Sequence, residues 1–581
     1  MCGLAGLLAY GKEAPPVDRT ALEAMRESMI RRGPDGAGTW VSEDGRVGLA
    51  HRRLSIIDLS EGGAQPMASA DGRLTIVYNG EIYNYRTLKA ELEAEGVRFV
   101  SHSDTEVLLH LYRRDGTAML DRLRGMFAFA IRDADRRGVL LARDPFGIKP
   151  LYYADDGRTL AFTSQVKALG AGGIGGGLDA AAAVGFFLFG AVPEPFTIDK
   201  AIKALPAGHW LWADEAGVGV PRAFLDIAAL TGRPGGELGA ALRDSVAHHL
   251  EADVPVGVFL SAGLDSTTLA ALASEAHGAG LHSITLGFEE FRGSPRDEVP
   301  FAEAAARAFT TAHATRRVAG ADFARARDDL LAAMDQPTID GVNTYFVAKE
   351  ARATGLKVAL SGLGGDELFG GYDTFRQVPK LVGGLGWIPG GRFLGKGLRL
   401  VAAPLLKERT SPKWAGVLEY GTRYGDAYLL RRGLFMPWEL PEVLDPDVVR
   451  EGWRALDPLA RLEGIAARQS APSAKVRALE SCWYMRNQLL RDSDWAGMAH
   501  GLEIRVPLVD RVLWETALPL RASKRDMALA AGNRLPEIVL NRPKTGFFVP
   551  VQDWLQGDGA IERGYRGWAR QVFKAFVPPV P

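Results

Sequence analysis

A cysteine directly behind the initiator methionine and followed by small residues can act as a nucleophile that carries its own base. Loss of Met1 leaves Cys2 with a thiol and a free α-amine, whose pKa of about 8 allows it to take the thiol proton without a histidine. Four short segments follow it, 31–36 (RRGPDG), 51–57 (HRRLSII), 78–84 (YNGEIYN) and 102–106 (HSDTE), each setting polar groups beside a strand end or turn. A second constellation lies far downstream. Ser261-Ala262-Gly263-Leu264-Asp265-Ser266-Thr267 puts hydroxyls, backbone N–H groups and a helix N-terminus around one point, a cradle for phosphate. It is not a Walker A loop, because no Lys follows a Gly at the required place.

These groups need a scaffold at each end of the chain. Up to about Trp212 the sequence reads as short β-type runs (74–78, 138–142, 151–153, 159–163) with a helix at 86–95, which predicts an α+β half rich in antiparallel pairing. Gly and Pro cluster over 213–236, read as a linker between a first domain at 2–212 and a second at 237–581. In the second half the pattern becomes strand 255–260, turn 261–267, helix 268–276, strand 281–287, helix 301–309 and strand 356–360, the last running into 361–371 (SGLGGDELFGG). That alternation predicts an α/β parallel sheet with ligand loops at its carboxyl ends, followed from about residue 372 by a largely helical part.

At 581 residues the chain is too long for one core. Its 69 Lys and Arg against 70 Asp and Glu give no field of one sign, so neither nucleic acid nor a membrane surface is expected as a partner. Two cysteines, Cys2 and Cys482, cannot form a disulfide framework or a multi-cysteine metal site, and fit a reducing, cytoplasmic setting. No apolar run approaches a bilayer span, and the N-terminus lacks the pattern of a signal peptide.

The first half resembles the class II glutamine amidotransferase, or N-terminal-nucleophile glutaminase, domain. That resemblance implies that Cys2 attacks glutamine and that Asn79 and Gly80 form the oxyanion hole. It also implies that Arg53 grips the substrate carboxylate, as a planar guanidinium can, and that Glu81 and Asp104 hold its ammonium. Leu54, Ser55, Ile56 and Ile57 belong to the same glutamine-binding segment. The loop at 261–267 resembles the SGGLDS-type loop of the ATP-pyrophosphatase superfamily, with Ala262 in place of the commoner Gly. Together the halves resemble the glutamine-hydrolysing asparagine synthetase family over nearly the whole chain.

The family resemblance implies ATP as substrate and Mg2+ between Asp265 and Asp366, with Ser261, Gly263, Ser266, Ser361 and Gly362 against the nucleotide and Phe259 and Leu286 contacting adenine. Lys544, in 543–546 (PKTG), is matched to the lysine that neutralises pyrophosphate. Arg505 and Asp510 fall in a helical segment near the two sites and can be structural. An internal ammonia channel is implied as well, and the assembly is left open, a homodimer included. One residue departs from the pattern. Asparagine-forming members carry Glu in the third place of the later loop, whereas here that place is Leu363. A leucine neither pairs with an ammonium nor takes a proton. Either a nearby acid such as Glu367 substitutes, or the acceptor is a carboxylate other than aspartate. Joining the glutaminase to sugar-phosphate or phosphoribosyl chemistry is disfavoured by the pyrophosphatase-type loop, and a degenerate nucleotide-binding regulator by the intact Cys2, Asn79, Gly80, Asp265 and Asp366.

Overall fold

A computed structural model describes residues 2–278, 280–309, 311–406, 412–532, 534–542, 550, 554 and 564–577. The front half stacks two antiparallel sheets. One runs in the order 203–204, 152–155, 159–163, 3–9, 47–53, 36–41, and the other 217–218, 209–214, 138–143, 125–133, 74–82, 67–68. Alternation along each strand sends one set of side chains inward, so Leu4, Leu49, Val77, Leu141 and Phe162 from both sheets form a common buried core. The outer faces are covered by helices: Arg19–Ser28 packs on the first sheet, and Tyr85–Ala94 and Asp104–Asp115 pack on the second.

The back half is built on five parallel strands in the order 312–318, 282–288, 256–259, 358–360, 503–505. The chain leaves the middle strand in one direction and later returns on its other side. This creates a switch point between Val256–Phe259 and Val358–Leu360, so the two loops expected to meet the nucleotide leave adjacent carboxyl ends. Helices make up nearly everything described beyond residue 364, and among the described residues no helix is long and apolar enough to cross a membrane.

Three boundaries differ from the sequence reading. Short strands at 217–218 and 222–223 still pair with His209–Asp214, so the second sheet continues past residue 212 into the expected linker. The helix expected at 268–276 begins at Leu264, because Asp265 and Ser266 are first-turn residues rather than loop residues. The strand Glu503–Arg505 was hidden in a segment read as helical. Its two charged ends are fully buried and neutralise each other, Arg505 Nε lying 2.6 Å from Glu503 Oε1. A hydrophobic pattern cannot reveal a strand stabilised in that way.

Candidate active sites

Cys2 opens the central strand of the first sheet and is buried. Its backbone N–H donates to Asn79 Oδ1 at 2.9 Å, and its Sγ lies 4.0 Å from the Leu54 carbonyl oxygen. Burial pushes the thiol pKa up, so the neutral thiol prevails until a base takes the proton. His51 is no candidate for that base: burial lowers its pKa to about 3, and its Nε2 meets the Tyr78 carbonyl at 3.0 Å.

The second sheet brings the other half of this pocket. Asn79 is fully buried, its Oδ1 is taken by the Cys2 N–H, and its Nδ2 has no hydrogen-bond partner, which leaves an N–H donor available next to Cys2. Gly80 follows on the same strand, where an added Cβ would come within 2.1 Å of the Met126 carbonyl oxygen, so only glycine fits. Asp104, in the first turn of its helix, accepts from Ile82 N–H and the Tyr78 hydroxyl, both at 3.0 Å. Burial nevertheless raises its pKa to about 6. Glu81 is buried with its pKa pushed well up, first by burial and then by the Glu503 carboxylate. Its Oε1 lies 3.5 Å from Arg505, and its Oε2 has no hydrogen-bond partner. Arg53 ends the strand Val47–Arg53 and donates to the carbonyls of Ser60, at 2.8 Å, and Asp58. Leu54, Ser55, Ile56 and Ile57 continue from it, the Ser55 N–H meeting Asp35 at 2.9 Å and the Ile56 carbonyl accepting from Asp253.

At the switch point lies a cavity of about 320 Å³. The first loop contributes Phe259, Ser261, Gly263, Asp265 and Ser266 to its wall. The second contributes Ser361, Gly362 and Leu363, and Leu286 comes from the neighbouring strand. Ser261 and Ser266 are tied together, their hydroxyl oxygens 2.9 Å apart and the Ser261 N–H donating to Ser266 Oγ at 3.1 Å, which holds the turn in shape. A Cβ on Gly362 would meet the Ser266 nitrogen at 2.9 Å, so the second loop needs glycine to lie this close to the first. Lys544 lies outside the described residues.

Several residues here were not singled out from sequence. Lys524 Nζ stands between the two expected metal ligands, 2.5 Å from Asp265 Oδ2 and also paired with Asp366 Oδ1. Burial works against its charge, but the two carboxylates hold its pKa above the ordinary value. A lysine opening a helix, here Lys524–Ala530, opposes the helix dipole, a weak sequence signal that its ammonium has a carboxylate partner. Asp340 and Asp492 also line the cavity, whereas Glu367 is not among its lining residues: it is fully buried elsewhere, against the Tyr372 hydroxyl at 3.0 Å.

One helix, Arg491–Met498, lines the nucleotide cavity and is tied to Cys2 through Arg32. Its Asp492 and Ser493 face the nucleotide cavity, and its Asp494 grips Arg32 through two bonds of 2.6 and 3.0 Å. Arg32 in turn donates to the Cys2 carbonyl at 3.2 Å. Both members of this pair are buried, so Asp494→Ala strands a guanidinium in the interior. It should cost about 3–5 kcal/mol of stability, read by chemical denaturation. Asp510 is a second tie between the halves, pairing with Arg124 at 2.8 and 2.9 Å while capping the helix Arg511–Leu520.

Comparison with known proteins places the chain in a class. Residues 1–224 match the model of a glutamine amidotransferase domain, and residues 237–573 match the model of asparagine synthase. The chain is 34% identical to the putative asparagine synthetase [glutamine-hydrolyzing] of Mycobacterium tuberculosis H37Rv, over 97% of this chain and 90% of that one. It is 33% identical to asparagine synthetase [glutamine-hydrolyzing] 1 of Bacillus subtilis, over 99% and 90%. With asparagine synthetase B of Escherichia coli the match is 33% over 65% and 66%. The protein is a glutamine-hydrolysing amidotransferase coupled to an ATP-dependent carbon-nitrogen ligase. It belongs to the asparagine synthase family.

Proposed function

We propose that Cys2, freed at its α-amine, releases ammonia from glutamine, and that the ammonia is consumed at the cavity between the loops 261–267 and 361–371 by a carboxylate activated as its adenylate. The observation that carries the first half is the unpartnered Nδ2 of Asn79 next to the buried Cys2. With the Gly80 N–H it receives the oxyanion as the thiolate adds to the glutamine amide. Ammonia leaves, and water later cleaves the thioester to glutamate. Asp104 and Glu81 hold the substrate ammonium, and Arg53 its carboxylate. Asn79→Ala should lower the kcat of glutamine hydrolysis about 10²- to 10³-fold in a protein that is still folded at the assay temperature; an unaltered kcat would remove Asn79 from the oxyanion hole.

In the second site an acceptor carboxylate oxygen attacks the α-phosphorus of ATP and pyrophosphate leaves. Ammonia then attacks the acyl carbon, AMP leaves, and one proton is released. Asp265 and Asp366 suit Mg2+, because the two carboxylates already converge on one cation, the Lys524 ammonium. Magnesium takes few protein ligands and fills its sphere with phosphate oxygens and water, so two carboxylates suffice. When bound it would neutralise the charge of the departing pyrophosphate. The helix Arg491–Met498, which lines the nucleotide cavity and holds Arg32 against the Cys2 carbonyl, forms the wall along which ammonia passes, and the protein works in the cytoplasm on small substrates.

The names of the relatives point to asparagine as product, and amidation of an adenylated carboxylate then makes aspartate the acceptor. A specific residue favours a second reading: Leu363 stands on the cavity wall where asparagine-forming members carry a carboxylate. The acceptor is then a different carboxylic acid amidated by the same chemistry.

A further inference from the structure

The nucleotide cavity has Asp340 on its wall. Beyond that residue, which lines both spaces, opens a second cavity of about 400 Å³. Its walls come from widely separated parts of the chain, and their chemistry is aromatic. Phe189, Trp483, Tyr484 and Tyr565 all face it, with Phe189 and Trp483 meeting edge to face at 5.1 Å. Trp483 is 6% exposed, and its Nε1–H has no hydrogen-bond partner, so a donor lies buried in this wall without an acceptor.

The charges around the cavity are mostly committed. Arg432 pairs with Glu480 at 2.8 Å and lies over the rings of Tyr484 and Tyr372, at 3.9 and 4.4 Å. Arg566 is held by both oxygens of Glu439, each at 2.9 Å. Lys413 has no ion-pair partner among the described residues, donates to the Arg431 carbonyl at 3.0 Å, and has its pKa lowered by burial to about 8.

A four-carbon amino acid would use little of this space, which falls in the size range of pockets for much larger ligands. Leu363 offers the ammonium of aspartate nothing, and the acids on the nucleotide cavity's wall are instead Asp492 and, at the edge of the second cavity, Asp340. An aromatic wall with an isolated cation and an unmatched N–H donor instead suits the face of a ring that bears oxygen functions.

We propose that the acceptor is a ring-bearing carboxylic acid, its ring seated against the aromatic wall of this second cavity and its carboxylate turned past Asp340 toward the nucleotide. This rests on the adenylating reading of the first cavity and deepens it. A flat aromatic ring and a saturated pyranose ring both stack on such walls, and the test separates them.

The enzyme is supplied with ATP, Mg2+ and glutamine, and kcat/KM for AMP formation is compared for aspartate, phenylacetate, indole-3-acetate and glucuronate. Binding of the same four acids is measured by calorimetry in the presence of a non-hydrolysable ATP analogue. A ring-bearing acid should exceed aspartate by at least about tenfold, with indole-3-acetate or glucuronate identifying the kind of ring. Trp483→Leu, checked for folding by its melting temperature, should raise the KM of that acid about tenfold while leaving the affinity for the ATP analogue unchanged. Aspartate outperforming every ring-bearing acid would overturn the assignment, and so would the absence of binding by all three ring-bearing acids in a protein that still hydrolyses glutamine and binds nucleotide. Loss of nucleotide binding itself would instead count against the adenylating reading.

Discussion

Replacing Cys2 by alanine is expected to lower glutamine hydrolysis by at least about 10⁴-fold, because the nucleophile is removed and no other thiol can reach the pocket. Cys482, the other cysteine, is buried in the helical part of the second half, and its thiol pKa is also raised by burial. Synthesis supported by added ammonium salts should continue, since the nucleotide cavity contains nothing from Cys2. The check is glutamate release and AMP release measured on one preparation. Glutaminase activity at the wild-type rate would show that the thiol is not the nucleophile.

Asp265→Asn is the mirror experiment. The change keeps the size of the side chain but removes one of the two charges that converge on Lys524, and with it half of the expected metal site. Acceptor-dependent pyrophosphate release should fall about 10³-fold, a loss of several kcal/mol of transition-state stabilisation, while basal glutamine hydrolysis persists. Manganese binding, followed by electron paramagnetic resonance in the presence of ATP, should weaken in parallel. Pyrophosphate release at the normal rate would return Asp265 to a purely structural role at the start of its helix.

Much of this arrangement was legible in the residues because the informative segments are short and local. The loop at 261–267 announces itself by hydroxyls and glycine at the end of an apolar strand, and the structure places it at a switch point. Cys2 and Asn79 are 77 residues apart, yet each belongs to a recognisable motif, and the two sheets bring them to 2.9 Å. What stayed hidden depends on long-range pairing of charges. Glu503 and Arg505 form a buried strand only because they neutralise each other, and Arg32 reaches Asp494 across 462 positions. Lys524 offered a weak local signal, its place at a helix start, but its partners lie at 265 and 366. Glu367 looked suited to replace the acid missing at Leu363 because it is close in sequence. In the fold its carboxylate is bonded to Tyr372 away from the cavity, and Asp340 and Asp492 stand on the wall instead.

In the proposed reaction this chain activates a carboxylate as its adenylate at the expense of ATP and amidates it with nitrogen from glutamine. Phosphorus NMR of ATP incubated with the enzyme, Mg2+, [amide-15N]glutamine and an acceptor acid tests it most directly, with the acid drawn from aspartate and the ring-bearing set. The predicted outcome is AMP and pyrophosphate in equal amounts, dependent on the acid, with 15N recovered in the amide product. ADP and inorganic phosphate as the nucleotide products, or AMP formed equally without any acid, would contradict it.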